Sequence, residues 1–83
     1  MKILFFAKFR HLLGRTEVEL EIPEQIHTVR QLIDWLKQQG PEYEAVFADE
    51  RIVRAAVDKS HASLESSILG AKEIAFFPPV TGG

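Results

Sequence analysis

The chain has 83 residues, 46% of them hydrophobic and 27% charged, with a formal net charge of -2 and no cysteine. This describes one domain with apolar side chains enough for its own core, and it excludes disulfides, a thiolate metal site and a cysteine nucleophile. The acidic balance and the lack of a Lys/Arg cluster argue against nucleic-acid binding, and no apolar run approaches the ~20 residues of a membrane span.

The opening MKILFFAKFRHLLG resembles a signal peptide only superficially: it is interrupted by Lys8, Arg10 and His11 and followed by no small-residue cleavage site, so a mature domain is expected. A cytoplasmic protein is expected. Lys2 to Lys8 is a run of β-formers and predicts a strand. FRHLLGR is too long for a tight hairpin and predicts one helical turn closed at Gly14. Thr16 to Ile22 alternates strictly, with Val18, Leu20 and Ile22 on one face and Glu17, Glu19 and Glu21 on the other. That is the pattern of a strand with one wet face.

Pro23 ends this strand. In HTVRQLIDWLKQQGP, Thr28 and Gln31 can form a capping box. Val29, Leu32, Ile33 and Leu36 make one apolar stripe with Trp35 at its edge, and Gly40 with Pro41 predicts the stop. EYEAVFA reads as a short helix or a turn. Arg51 to Asp58 predicts a third strand with KSH as its turn, ASLESSIL a short edge strand, GAK a turn, and Glu73 to Pro78 the last strand. The order is that of an α+β roll, one main helix on a mixed sheet of four to five strands. If the first and last strands are neighbours in mid-sheet, the helix crosses one face.

Strand parity separates the two faces. Ile3, Phe5, Ala7, Val53, Ala55, Val57, Ile74 and Phe76 are expected to face the helix. Phe6, Ala56 and Phe77 are expected to share the outer face with Arg54. An apolar cluster there predicts a partner surface, provided EYEAVFA does not fold over it.

Catalytic patterns are lacking. His11, His27 and His61 have no ligand spacing, the Glu17, Glu19 and Glu21 row fits a solvated face, the serines sit in no nucleophile elbow, and the glycines make no phosphate loop. No metal is expected. The distinctive segment is FFPPVTGG. Pro78 and Pro79 cannot donate ladder hydrogen bonds and hold the following residues extended; from Pro78 on, the chain can reach roughly 20 Å. Val80 and Thr81 can touch a partner, and Gly82 and Gly83 are slim enough for a narrow channel. Residues 1–77 therefore read as the folded domain and residues 78–83 as a projecting tail that presents the Gly83 carboxylate. A carboxylate is a poor electrophile, so a partner must activate it, for example by adenylation.

ILFFAKFRHLLG, TVRQLIDWL, RAAVD and above all EIAFFPPVTGG resemble the ubiquitin-like sulfur carriers of the MoaD/ThiS type, which include the small subunit of molybdopterin synthase. The resemblance implies a β-grasp fold. It implies that Gly83 is adenylated by an ATP-dependent, ubiquitin-activating-like enzyme and converted to a thiocarboxylate by a sulfur-donor system. The tail would then enter the large synthase subunit and give sulfur to a pterin precursor. Gly82 would supply clearance and Phe76 to Thr81 would dock. Phe77, Phe6, Phe76 and Arg54 would contact partners, with no cofactor held by this chain and ATP used by the activating enzyme. Carriers for thiazole synthesis or tRNA thiolation, a protein modifier and an inert interaction domain are the alternatives.

Overall fold

A computed structural model describes residues 1–79; the expectations for Val80, Thr81, Gly82 and Gly83 lie outside the described residues. In chain order the elements are β1 (Lys2–Phe5), α1 (Lys8–Leu13), β2 (Glu17–Glu19), α2 (Val29–Lys37), α3 (Pro41–Val46), a 3-10 turn (Glu50–Ile52), β3 (Arg54–Val57), β4 (Ser60–Ala62) and β5 (Glu73–Phe77). The five strands form one mixed sheet in the order β2-β1-β5-β3-β4. β1 and β5 run parallel at its centre, with Ile3 opposite Ile74 and Phe5 opposite Phe76, and all other pairings are antiparallel. This is the α+β roll expected from the element order.

The main helix forms where its sequence says it should. Thr28 Oγ1 accepts from the Gln31 N–H at 3.2 Å, and Gln31 Oε1 accepts from the Thr28 N–H at 3.2 Å, closing the capping box. Two further first-turn donors go to another segment: the Val29 N–H to the Ser66 carbonyl at 3.0 Å and the Arg30 N–H to the Leu64 carbonyl at 2.8 Å. The orphan amides of the helix start thus tie it to the segment after β4. Val29, Leu32, Ile33 and Leu36 are completely buried. Replacing Thr28 by Ala removes one side of the box, at about 1 kcal/mol. For a domain of this size that lowers Tm by roughly 4–8 °C, and differential scanning calorimetry should show it with binding unaffected.

Several sequence expectations are corrected. Arg51 and Ile52, expected to open the third strand, lie in the 3-10 turn, and the edge strand is Ser60–Ala62 rather than ASLESSIL. The helix stops at Gln38, and Gly40 with Pro41 begins α3, Pro41 occupying the first helical turn, where a missing N–H costs nothing. The first strand ends at Phe5. Ala7 takes φ 54°, a conformation disfavoured for a side chain, and turns the chain into α1, so it is exposed and does not face the core. The turn after β3 is Asp58–Lys59 and not KSH. Both residues have positive φ (47° and 72°), the requirement of a two-residue hairpin turn matched to strand twist, and Ser60 and His61 belong to β4. The Asp58 carboxylate accepts from the Lys72 and Glu73 N–H groups, both at 2.9 Å, fastening this turn to the start of β5. The helical turn before Gly14 is as expected: Gly14 closes α1 in the left-handed conformation, its N–H bonded to the Arg10 carbonyl.

The core lies on one side of the sheet. Phe5 is 6.3 Å from the Tyr43 ring, 6.3 Å from Phe47 and 6.0 Å from Phe76, and Phe47 meets Phe76 edge-on at 4.9 Å. α3 and the residue after it therefore cover the same face as α2. No described helix lies over the other face.

Candidate functional site: the outer sheet face at the end of β5

β5 delivers the chain to Phe77, Pro78 and Pro79 at one end of the sheet, between β1 and β3. The Phe6 N–H donates to the Phe76 carbonyl at 3.1 Å, so Phe6 extends the central parallel ladder even though β1 has ended. The turn at Ala7 then lifts the chain away and leaves Phe6 on the open face, 46% exposed. Arg54, the first residue of β3, stands opposite Phe77.

The register fixes the composition of this face. One cross-sheet row runs Glu17, Leu4, Ala75, Ala56, His61. The next row toward the tail holds Phe77 and Arg54, with Phe6 beside Phe77. Phe6 and Arg54 are exposed and Phe77 is half-buried. Ala56 and Ala75 are little exposed because larger side chains flank them, yet neither belongs to the core cluster. The structure thus brings Phe6, Phe77 and Arg54 together as expected.

Phe76 does not join them. It is wholly buried against Phe5 and Phe47, because its parity turns it toward the helices. Of its two expected roles, core and partner contact, this structure leaves it only the first.

His61 was not anticipated at the site. Its ring meets Phe77 edge-on at 5.5 Å. Parity could have placed it only if the turn had been located at Asp58–Lys59, which carries no glycine to mark it. Arg54 is held by the segment that leads into its strand: its Nη1 donates to the Arg51 carbonyl at 3.0 Å and the Val53 carbonyl at 3.1 Å. Beside it, Arg51 donates to Asp49 from Nε at 3.0 Å and from Nη2 at 3.1 Å, and these bonds hold the Asp49 carboxyl below the usual carboxylate range. The tail exit is therefore apolar at its centre and cationic on the β3 side.

Among the described residues there is no group of three or more His, Asp or Glu placed to hold a metal ion, and no helix long and apolar enough to cross a membrane. The face has the chemistry of a docking surface: apolar, bordered by charge, and continuous with the segment that leads to Gly83.

A five-stranded mixed sheet with its first and last strands parallel at the centre, crossed on one face by a helix, defines a ubiquitin-like β-grasp domain. The match to a family model is specific. Residues 3–83 fit the ThiS family, and the chain belongs to it. It is 35% identical over 83 residues to the molybdopterin synthase sulfur carrier subunit of Haemophilus influenzae, covering all of this chain and 99% of that protein. It is 36% identical over 85 residues to the Escherichia coli protein of the same name, again covering 100% and 99%. Among solved structures it is similar to SAMP1, the small archaeal modifier protein 1 of Haloferax volcanii, with a TM-score of 0.75 and 27% identity over 100% of this chain and 98% of that one.

Proposed function

We propose that this protein is a sulfur carrier of molybdenum-cofactor synthesis and works as the small subunit of molybdopterin synthase. The observation that carries the reading is the end-to-end similarity to two molybdopterin synthase sulfur carrier subunits, with a family match that runs through residue 83. The reaction takes place at the Gly83 carboxylate. Its oxygen attacks the α-phosphate of ATP in an activating enzyme, pyrophosphate leaves, and an acyl-adenylate forms. Sulfide-level sulfur from a donor then attacks the acyl carbon and displaces AMP, leaving a thiocarboxylate. The large synthase subunit receives the tail, the sulfur passes to the pterin precursor, and water takes its place on the acyl carbon to restore the Gly83 carboxylate. Gly82 keeps the tail narrow, Val80 and Thr81 contact the channel, and Pro78 and Pro79 aim it. ATP belongs to the activating enzyme, and the cytoplasm is where these partners would meet the chain.

Phe6, Phe77 and Arg54 would seat the large subunit and the activating enzyme in turn. Truncating a central aromatic anchor typically costs an interface 2 kcal/mol or more, so a charge at Phe77 should be worse. Isothermal titration with the large subunit should show one-to-one binding by the wild type. For Phe77→Asp the affinity should fall at least about 30-fold, while circular dichroism keeps the folded spectrum. Absence of wild-type binding would contradict the reading. Unfolding of the variant would contradict the assignment of Phe77 to the outer face.

The likeness to an archaeal modifier protein supports a second reading, attachment of Gly83 to lysines of other proteins. Lysine-linked conjugates formed with the activating enzyme and ATP alone would favour it.

A further inference from the structure

The outer face is self-complementary. Its β2 flank carries Glu17 and Glu19, both exposed, with Glu19 paired to the Met1 ammonium at 3.3 Å. Its β3–β4 flank carries Arg54 and His61, with Lys59 in the turn between those strands. The Asp58 carboxylate on this flank is occupied by the Lys72 and Glu73 N–H groups. Between the flanks lie Leu4, Phe6, Ala75, Phe77 and Ala56.

We propose that this face binds a second copy of the chain, packed face to face about a two-fold axis along β5. Such an operation keeps each row of residues at its own level and exchanges the two flanks. In the central row it sets Glu17 over His61 of the second copy, Leu4 over Ala56, and Ala75 over Ala75. In the row toward the tail it sets Phe6 over Arg54 and Phe77 over Phe77. The first of these pairs joins an acid to a base. Phe6 over Arg54 offers an aromatic face to a guanidinium. Two-fold symmetry makes each unlike contact twice. The one like-charged meeting, Glu73 over Glu73, falls at the far end of the face, where Lys2 is the cross-strand neighbour of Glu73.

The alternative two-fold axis, across the strands, is worse. It sets Glu17 over Glu17 and turns the charged row of Lys2 and Glu73 onto Phe6 and Phe77. Sheets stacked in the favoured arrangement lie about 10 Å apart and within about 30° of parallel, so the rows stay matched near the axis.

The apolar centre is only five side chains, three of them large. It falls at the low end of interface sizes, where association is transient. A dissociation constant of about 0.1–1 mM follows. The pairing covers Phe77 and Phe6, so self-association and docking of any partner on this face exclude each other. The inference concerns the chain alone and stands whatever Gly83 carries.

The test combines sedimentation equilibrium with amide NMR spectra of the full chain from about 20 μM to 2 mM, a range that brackets the expected constant. The wild type should show reversible association, with concentration-dependent shifts confined to Leu4, Phe6, Glu17, Arg54, His61, Ala75, Phe77 and their neighbours. His61→Glu places like charges in contact twice and should weaken association about fivefold or more, and Glu17→Lys removes the acid–imidazole pair twice and should weaken it as well. The double variant restores unlike pairs and should recover wild-type association. Both positions are exposed, so the variants stay folded. A wild type that remains monomeric at 2 mM, shifts confined to another surface, or a double variant no better than the singles would each overturn the proposal.

Discussion

Removal of Gly83 should abolish sulfur loading while leaving the fold almost untouched. The buried core runs from Ile3 to Phe76, and β5 ends at Phe77. Deleting Gly83 leaves every described core residue in place, so the expected change in stability is within about 0.5 kcal/mol. The reacting carboxylate is displaced inward, and Gly82 must then serve as the terminus. It falls one residue short, a loss of roughly 3.3–3.6 Å of reach. A misplacement of about 1 Å in a reacting group already costs around a hundredfold, so loading by the activating enzyme should drop below detection. Scanning calorimetry and a loading assay on the same sample check both halves. A large fall in Tm would mean that the end of the chain contributes to the core.

Phe76→Ala should have the largest effect on stability. The side chain is completely buried, stacks on Phe5 at 6.0 Å and meets Phe47 edge-on at 4.9 Å. Truncating a buried Phe to Ala costs about 3–5 kcal/mol in lost transfer energy and unfilled cavity. At roughly 4–8 °C per kcal/mol for a domain of this size, Tm falls by some 12–40 °C. Small domains hold only about 5–15 kcal/mol in total, so the variant is marginal at physiological temperature. Its neighbour gives the contrast. Phe77→Ala removes a half-buried outer-face ring and should cost far less stability while weakening docking. Urea titrations of both variants measure the difference directly. Equal losses would show that the two faces of β5 are packed alike.

The contrast between Phe76 and Phe77 was legible in the sequence, because strand parity is a strict period of two. So was the main helix, whose stripe and capping box lie within a dozen residues. The central pairing of β1 and β5 was legible as a condition: two apolar strands at opposite ends of the chain fit best in the middle of the sheet. Other features depended on tertiary contacts. Asp58 and Lys59 take left-handed conformations that neither residue announces. They are supported by the carboxylate bonds to Lys72 and Glu73 from a strand fifteen residues away. That hidden turn also concealed His61. Gly40 and Pro41 fit a helix stop and a helix start equally well, and only the packing of Tyr43 and Phe47 on Phe5 decides between them. The same packing puts EYEAVFA on the core side of the sheet, which the sequence left open.

The central claim is that the end of this chain is a carrier for sulfur, and the intact mass of the protein tests it most directly. The chain is incubated with an activating enzyme of the ubiquitin-activating type, ATP and a sulfur donor, and its mass is compared with that of the untreated protein. The account predicts a gain equal to the exchange of one oxygen for sulfur, located at Gly83 by fragmentation and lost when ATP is omitted. An unchanged mass with all components active, or sulfur placed at any other residue, would contradict it.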